Sequence, residues 1–445
     1  MFKTLKNAWK IPELKNRLIF TLLIVILYRL GSNILVPYVN IDAMKSFSVA
    51  TNGTIFAYIN LLSGGAFGQG TLFALSVSPY ITASIVIQLL TIAIPALERL
   101  SKQGEEGKKK ITAITRYVTV GLGLITAIGY AAMLGGDGYL NVQSPKTLVG
   151  FFQYAIVVAC YCAGASIIMW MAEKINEFGI GNGVSMILFA NIISRVPSIA
   201  TNLWMLVFKQ GGFKGFNVLG LVIALASIII IIAVIMLIVC VTNSERRIPI
   251  QYAKRVVGRK MYGGQGTNLP LKVNMTGVMP IIFASSIASL PATIAELLRG
   301  KVAWLNWIKD NFNYNTWIYV VINILLIVAF SYFYVLISFN PVEVANNIKD
   351  NGGSIPGIRP GKPTSDYIKK VLNKITTIGA IFLCFVSCFP MAVAIIGGYF
   401  NWGIDGIAML AFGGTSLLIV IGVALETVRE LEAQMTLRNY KGFLD

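Results

Sequence analysis

The chain has 445 residues, 56% of them apolar and only 13% charged, with a mean hydropathy of +0.72. Soluble proteins carry about 25% charged residues, so this composition excludes a soluble globular protein and marks an integral membrane protein. The formal charge of +18 would fit nucleic acid, but the basic residues lie between apolar runs, and membrane topology explains them more economically.

Much familiar chemistry is excluded as well. There is no histidine, which removes the commonest metal ligand and the usual near-neutral proton shuttle. The cysteines (Cys160, Cys162, Cys240, Cys384, Cys388) are odd in number and sit in apolar runs. They read as small buried side chains, not as a disulfide framework or a metal site. No carboxylate pair suits acid–base catalysis, and no phosphate-binding glycine loop follows a strand. Gly179, Gly181 and Gly183 imitate a dinucleotide fingerprint but join two membrane helices. The expectation is a non-enzyme without a cofactor.

In chain order, a basic flank (Lys3, Lys6, Lys10, Lys15, Arg17) precedes the first apolar run without a small-residue cleavage site. A retained membrane helix is predicted there. Ten segments reach the roughly 20 apolar residues that a span requires. They are 18–37, 72–94, 112–134, 148–171, 183–207, 216–241, 273–298, 317–339, 371–391 and 404–425. With the N-terminus cytoplasmic, 28 of the 37 Lys and Arg fall on the cytoplasmic side and eight on the other, with Arg29 inside the first span. That bias puts both termini in the cytoplasm. Five spans per half, 1–210 and 211–445, make the halves inverted repeats. The predicted fold is therefore an all-α integral membrane protein of ten transmembrane helices in two inverted five-helix halves.

Two stretches break the apolar pattern. Residues 52–70 hold a short amphipathic piece and then Gly64, Gly65, Gly68 and Gly70, each costing about 1 kcal/mol inside a helix. Segment two follows, carrying Ser76, Ser78, Pro79, Thr82, Ser84 and Gln88. Its counterpart, segment seven, carries Asn274, Thr276, Pro280, Ser285, Ser286, Ser289 and Pro291. Broken, hydroxyl-rich helices at membrane depth belong against protein or a water-filled cavity, so this pair should line a passage. Segment six, nearly all Ile, Leu, Val and Ala, reads as a wall facing lipid.

Residues 95–111 mix Glu98, Glu105 and Glu106 with Lys108, Lys109 and Lys110 and read as a solvated hairpin. Loops 242–272 and 340–370 are long and basic, the second presenting Arg359 between Pro356-Gly357 and Pro360-Gly361. Such protrusions suit an acidic partner, RNA or protein; anionic lipid is the alternative. A transporter would place ionisable groups at mid-membrane. A conduit for polypeptide needs an apolar constriction, a plug and a seam. Apolar residues flanked by hydroxyls favour the conduit, with the transporter as the alternative.

Several stretches carry a family resemblance. They include Leu62-Ser-Gly-Gly-Ala, Pro79-Tyr-Ile-Thr-Ala-Ser-Ile, Gly179-Ile-Gly-Asn-Gly, Tyr252-Ala-Lys-Arg, Leu269-Pro-Leu-Lys-Val-Asn-Met, Pro356-Gly-Ile-Arg-Pro-Gly and Phe412-Gly-Gly-Thr-Ser-Leu-Leu. Through these, in order along most of the chain, it resembles the SecY family, pore subunits of the bacterial Sec protein-translocation channel. The resemblance implies a clamshell of two halves in the cytoplasmic (inner) membrane, opening laterally between segments 2–3 and 7–8. Unfolded, signal-bearing polypeptides would cross it, and hydrophobic segments would leave sideways into the lipid bilayer.

Position by position, the resemblance implies a re-entrant plug helix at about 55–68, including Tyr58, Ile59, Leu61, Leu62, Ser63, Gly64 and Gly65. It implies a pore ring of Val77, Ile81, Val184, Leu188, Ile282 and Ile419. The family often has isoleucine at these places, and Val77, Val184 and Leu188 depart from that while staying aliphatic. A narrow apolar ring dewets and blocks ions, and Val77 and Ile81, four apart, share one helix face. Ser84, Gln88, Ser285 and Ser286 match the lateral gate. Arg255, Arg259, Lys260 and Arg359 match the docking face for the ribosome and the SecA motor ATPase. SecE and SecG are the implied membrane partners.

Overall fold

Helix-breaking residues decide where the spans begin and end. The computed structural model describes residues 2–50, 59–60, 62–136, 138–143, 147–208, 218–252, 255–257, 260–262, 266–297, 316–399 and 414–441. Each of the ten predicted segments carries a helix. Spans 1–5 are Pro12–Gly31, Ser78–Ala93, Glu105–Gly136, Leu148–Phe178 and the pair Gly183–Ile193 with Val196–Val207. Spans 6–10 are Val218–Asn243, Met279–Leu297, Trp317–Ser338, Lys362–Tyr399 and Gly414–Lys441.

The largest departures from the predicted limits fall on the two segments singled out for their polarity. Residues 72–77 and 273–278 are non-helical, and spans 2 and 7 start only at Ser78 and Met279, each with a proline in its first turn. Proline is pre-organised for that position. Span 2 stops at Ala93 because Ile94 precedes Pro95, which pushes Ile94 to an extended backbone (φ −107, ψ 113). The helix resumes over Pro95–Ser101 after a bend of 104° and packs on the start of span 3, forming the solvated hairpin expected there. Span 5 breaks before Pro197.

Packing divides the helices into two groups. Span 4 packs on spans 1, 3 and 5, and span 2 packs on span 3. In the second group span 8 joins 7 to 9, and span 10 packs on 9 and 6. The groups meet along two seams. On one side span 5 packs on span 10 and its second helix on span 6; on the other, spans 2 and 3 both touch span 7. Between the start of span 3 and the end of span 4, Arg116 grips Glu173, with Nε 3.0 and 2.8 Å from the two carboxylate oxygens. Span 6 leaves Val222, Leu225, Ile229, Ile232 and Met236 exposed on its surface, as a lipid-facing wall should. The half boundary expected near 210 lies outside the described residues.

One close approach makes the non-helical lead-in possible. A Cβ on Gly164 of span 4 would lie 2.0 Å from the Leu72 carbonyl oxygen, whereas one on Gly121 of span 3 would meet nothing within 4 Å. Gly164→Ala should therefore destabilise the protein by about 1–3 kcal/mol, the cost of overpacking. Gly121→Ala should be neutral or slightly stabilising, since alanine is the better helix former. Thermal unfolding of the detergent-solubilised protein checks both.

Candidate functional site: pore, seam and docking face

Residues 77–81 begin the buried apolar face of span 2. The Ile81 amide donates to the Val77 carbonyl at 3.0 Å, which stacks the two side chains one turn apart. Leu188 lies in the first helix of span 5, Ile282 in the first turn of span 7, and Ile419 near the start of span 10. All five are buried and belong to one apolar cluster, with half-buried Val184 packed against it. The cluster thus draws the six predicted ring residues from both helix groups. Ile85, Ile187, Val278 and Ile281 join them. Among the described residues, no Asp, Glu, Lys or Arg is buried.

Leu62 is buried in the same cluster. Of the other predicted plug residues, Ile59 packs on a second cluster, and Ser63, Gly64 and Gly65 form a turn; Tyr58 and Leu61 lie outside the described residues. The plug segment is therefore no single helix over 55–68. Gly64 (φ 65) and Gly65 (φ 96) are left-handed, which breaks it. A four-residue helix, Ala66–Gln69, follows. It is anchored by the Tyr130 hydroxyl donating to the Phe67 carbonyl and Tyr161 to that of Gly70 at 3.2 Å. Three further residues touch the plug and were not predicted as site residues. Asn191 Nδ2 donates to the Leu62 carbonyl at 2.7 Å, Ser76 Oγ to the same carbonyl at 3.2 Å, and Arg29 to the Gly64 carbonyl at 3.4 Å. An asparagine inside Ile187-Leu-Phe-Ala-Asn-Ile-Ile was the available signal.

Spans 2 and 7 touch, so the structure brings the two predicted gate helices together. Ser84, Gln88 and Ser286 are half-buried, and Ser285 is buried, donating to the Ile281 and Ile282 carbonyls of its own helix. Thr82 and Thr91 likewise donate to Ser78 and Ile87. Gln88 lies near the Tyr334 hydroxyl of span 8, across the seam, a neighbour the sequence did not indicate.

The two basic loops form one unit. Strand β1 (Glu245–Tyr252) pairs with β4 (Gly266–Lys272) and, on its other side, with β5 (Gly353–Ser354) from the second loop. Ile248 and Ile250 alternate inward onto Leu271, Ile348, Ile355 and Ile368. At the hairpin tip β2 (Arg255–Val257) pairs with β3 (Lys260–Tyr262), which places Arg255 and Lys260 in facing strands. Arg259 lies outside the described residues. At the hairpin's base, burial and then the neighbouring Arg429 pull the Lys272 ammonium below its ordinary pKa. The Arg359 side chain is exposed, while its carbonyl accepts from Thr364 Oγ1 at 2.9 Å.

Two helix groups meeting on an aliphatic cluster, with a broken segment lodged against it and a basic sheet beside them, are the arrangement of a membrane channel. The SecY family model matches residues 71–428. Protein translocase subunit SecY of Streptomyces galbus is 42% identical over 453 residues, all of both chains, and that of Streptomyces coelicolor is 42% identical over 456, again covering both. A solved structure described as a protein conducting channel matches with a TM-score of 0.61 at 18% identity, covering 95% of this chain and 92% of that one. Over the same shares, the structure of a SecY whose plug domain stabilises the closed state gives 0.60 at 18% identity, and Sec61 in a canine ribosome–channel complex gives 0.57 at 16%. At such identities the structural likeness speaks for the fold alone. The chain belongs to the SecY family. It is a membrane-embedded channel subunit of a protein translocase and not an enzyme.

The seam geometry can be checked directly. Cysteines replacing Gln88 and Tyr334 should be bridged by a short bifunctional thiol reagent, whereas Ser84→Cys with Leu325→Cys, on the exposed face of span 8, should not. Absence of the first bridge would separate spans 2 and 8.

Proposed function

We propose that Val77, Ile81, Val184, Leu188, Ile282 and Ile419 form the constriction through which unfolded, signal-bearing polypeptide crosses the cytoplasmic membrane. Both termini face the cytoplasm, the plug around 58–65 seals the constriction, and hydrophobic segments leave into lipid between spans 2–3 and 7–8. The single observation that carries this reading is the convergence of six aliphatic residues from four spans, and from both helix groups, on one cluster. An aliphatic ring excludes ions by dewetting and can deform around any side chain. The division at about residue 210 makes each half one jaw. SecE and SecG are the membrane partners of the assembly.

Replacing Ile81, Leu188 and Ile282 together by glycine, or deleting 58–66, should raise resting ion conductance in planar bilayers. Unchanged conductance in both variants would remove these residues from the seal.

The cytoplasmic sheet is the docking face for the SecA motor and the ribosome, with Arg255, Arg259, Lys260 and Arg359 as contacts. Arginine suits both carboxylate and phosphate, and the turn holding Arg359 keeps its ordering cost low. Loss of such an anchor costs about 2 kcal/mol or more, so Arg359→Glu should weaken motor-driven translocation by roughly thirtyfold. Lys362→Glu, at the start of span 9, should do much less. Equal, mild losses would mean that only summed charge matters.

A further inference from the structure

We propose that Asn191, Ser76 and Arg29 form a polar latch that positions the plug in its closed place, with Gly64-Gly65 as its hinge. The inference rests on the plug reading above. The break at Gly64 leaves the Leu62 and Gly64 carbonyls without helical partners, and all three latch donors point at these two atoms. The donors come from span 5, the lead-in to span 2 and span 1, so the latch closes only when the segment sits between them. Beyond the hinge, Tyr130 and Tyr161 hold 66–70 to spans 3 and 4, and the Phe67 ring packs 4.6 Å from that of Tyr130 and 6.0 Å from that of Phe47. One end is a fixed base. The other is held by hydrogen bonds that can be exchanged.

The exchange partner is already in place. Tyr28 is fully buried beside Asn191 and Ser76, yet its hydroxyl makes no well-formed hydrogen bond, and neither does Asn191 Oδ1. When Leu62 leaves, Asn191 and Ser76 can turn to Tyr28, while the swing also frees the Phe67 and Gly68 amides, which donate to Ser63 Oγ at 3.0 Å and Asn60 Oδ1 at 2.8 Å across the hinge. Ser76 is held at φ 51, a conformation that L-residues other than Gly, Asn and Asp rarely adopt. Its hydroxyl bond to Leu62 compensates for that strain. The latch also demands glycine at its centre: a Cβ on Gly64 would lie 2.9 Å from Asn191 Oδ1 and 3.0 Å from the Arg29 guanidinium.

The test uses the translocase complex reconstituted in planar bilayers. Asn191→Leu removes the strongest donor at similar volume, and Gly64→Ala wedges the latch from the plug side. Each should raise resting conductance about tenfold, the equivalent of about 1.4 kcal/mol, the range of one buried hydrogen bond. Ser76→Ala, the mildest change, should raise it less. In a channel lacking 58–66, Asn191→Leu should add nothing, because its effect runs through the plug. A further rise there would make Asn191 a packing residue and overturn the latch. Unchanged conductance in Asn191→Leu and Gly64→Ala, with leakage in the deletion, would overturn it while leaving the plug reading intact. No leakage in the deletion would overturn both.

Discussion

A carbonyl left open by a broken helix has no water to turn to inside a bilayer, and this chain is arranged around the places where it breaks its own helices. An unpaired buried backbone group costs about 1–3 kcal/mol, so each break recruits side chains. The plug turn draws on Asn191, Ser76, Tyr130 and Tyr161. The link between spans 4 and 5 works the same way from the donor side: the Ile180 amide donates to Thr21 Oγ1 of span 1 at 3.1 Å, and the Gly183 amide to Asn176 Oδ1 at 2.7 Å. Polar residues that look out of place in apolar runs are thus the partners of broken backbone elsewhere.

The same accounting extends to the seams. Along the span 2–7 seam, Thr82, Thr91, Ser285 and Ser289 direct their protons to carbonyls of their own helices, the usual way a helix satisfies a hydroxyl internally. These bonds run within each helix, and the apolar contact between spans 2 and 7 is worth about 25 cal/mol per Å² of buried surface. At the opposite seam span 5 packs on span 10 and its second helix on span 6.

The spans, the positive-inside bias and the singular character of segments two and seven were legible because composition, charge and proline placement are local signals. The six aliphatic residues of the cluster came from the family resemblance, matched position by position, and only the spacing of Val77 and Ile81 could be checked within one segment. What the segments hid were pairings between distant stretches. Gly353 and Ser354 gave no strand pattern in two residues, so the fusion of the two basic loops through β5 was invisible, although Ile248 and Ile250 alternated on β1. The non-helical lead-ins were equally hidden, because Leu72 to Val77 is apolar enough for a span and only the fit of Gly164 against Leu72 shows why it need not coil.

Span 10 connects the apolar cluster to the basic sheet. Its upper part carries Ile419 into the apolar cluster. Ten residues on, about 15 Å along the helix axis, Arg429 donates to the Thr242 carbonyl at 2.9 Å and to Asn243 Oδ1 at 2.7 Å. Those acceptors are the C-terminus of span 6, where cations are favoured by the helix dipole, and the next residues open the basic hairpin. The Val273 amide in turn donates to the Ser244 carbonyl at 2.9 Å, tying the far leg of the hairpin and the lead-in of span 7 to the same point. The sheet is therefore tied to span 10 and to the lead-in of span 7, the helices that supply Ile419 and Ile282. The basic sheet and the apolar cluster are joined through one guanidinium and one strand end, although more than a hundred residues of sequence separate their parts.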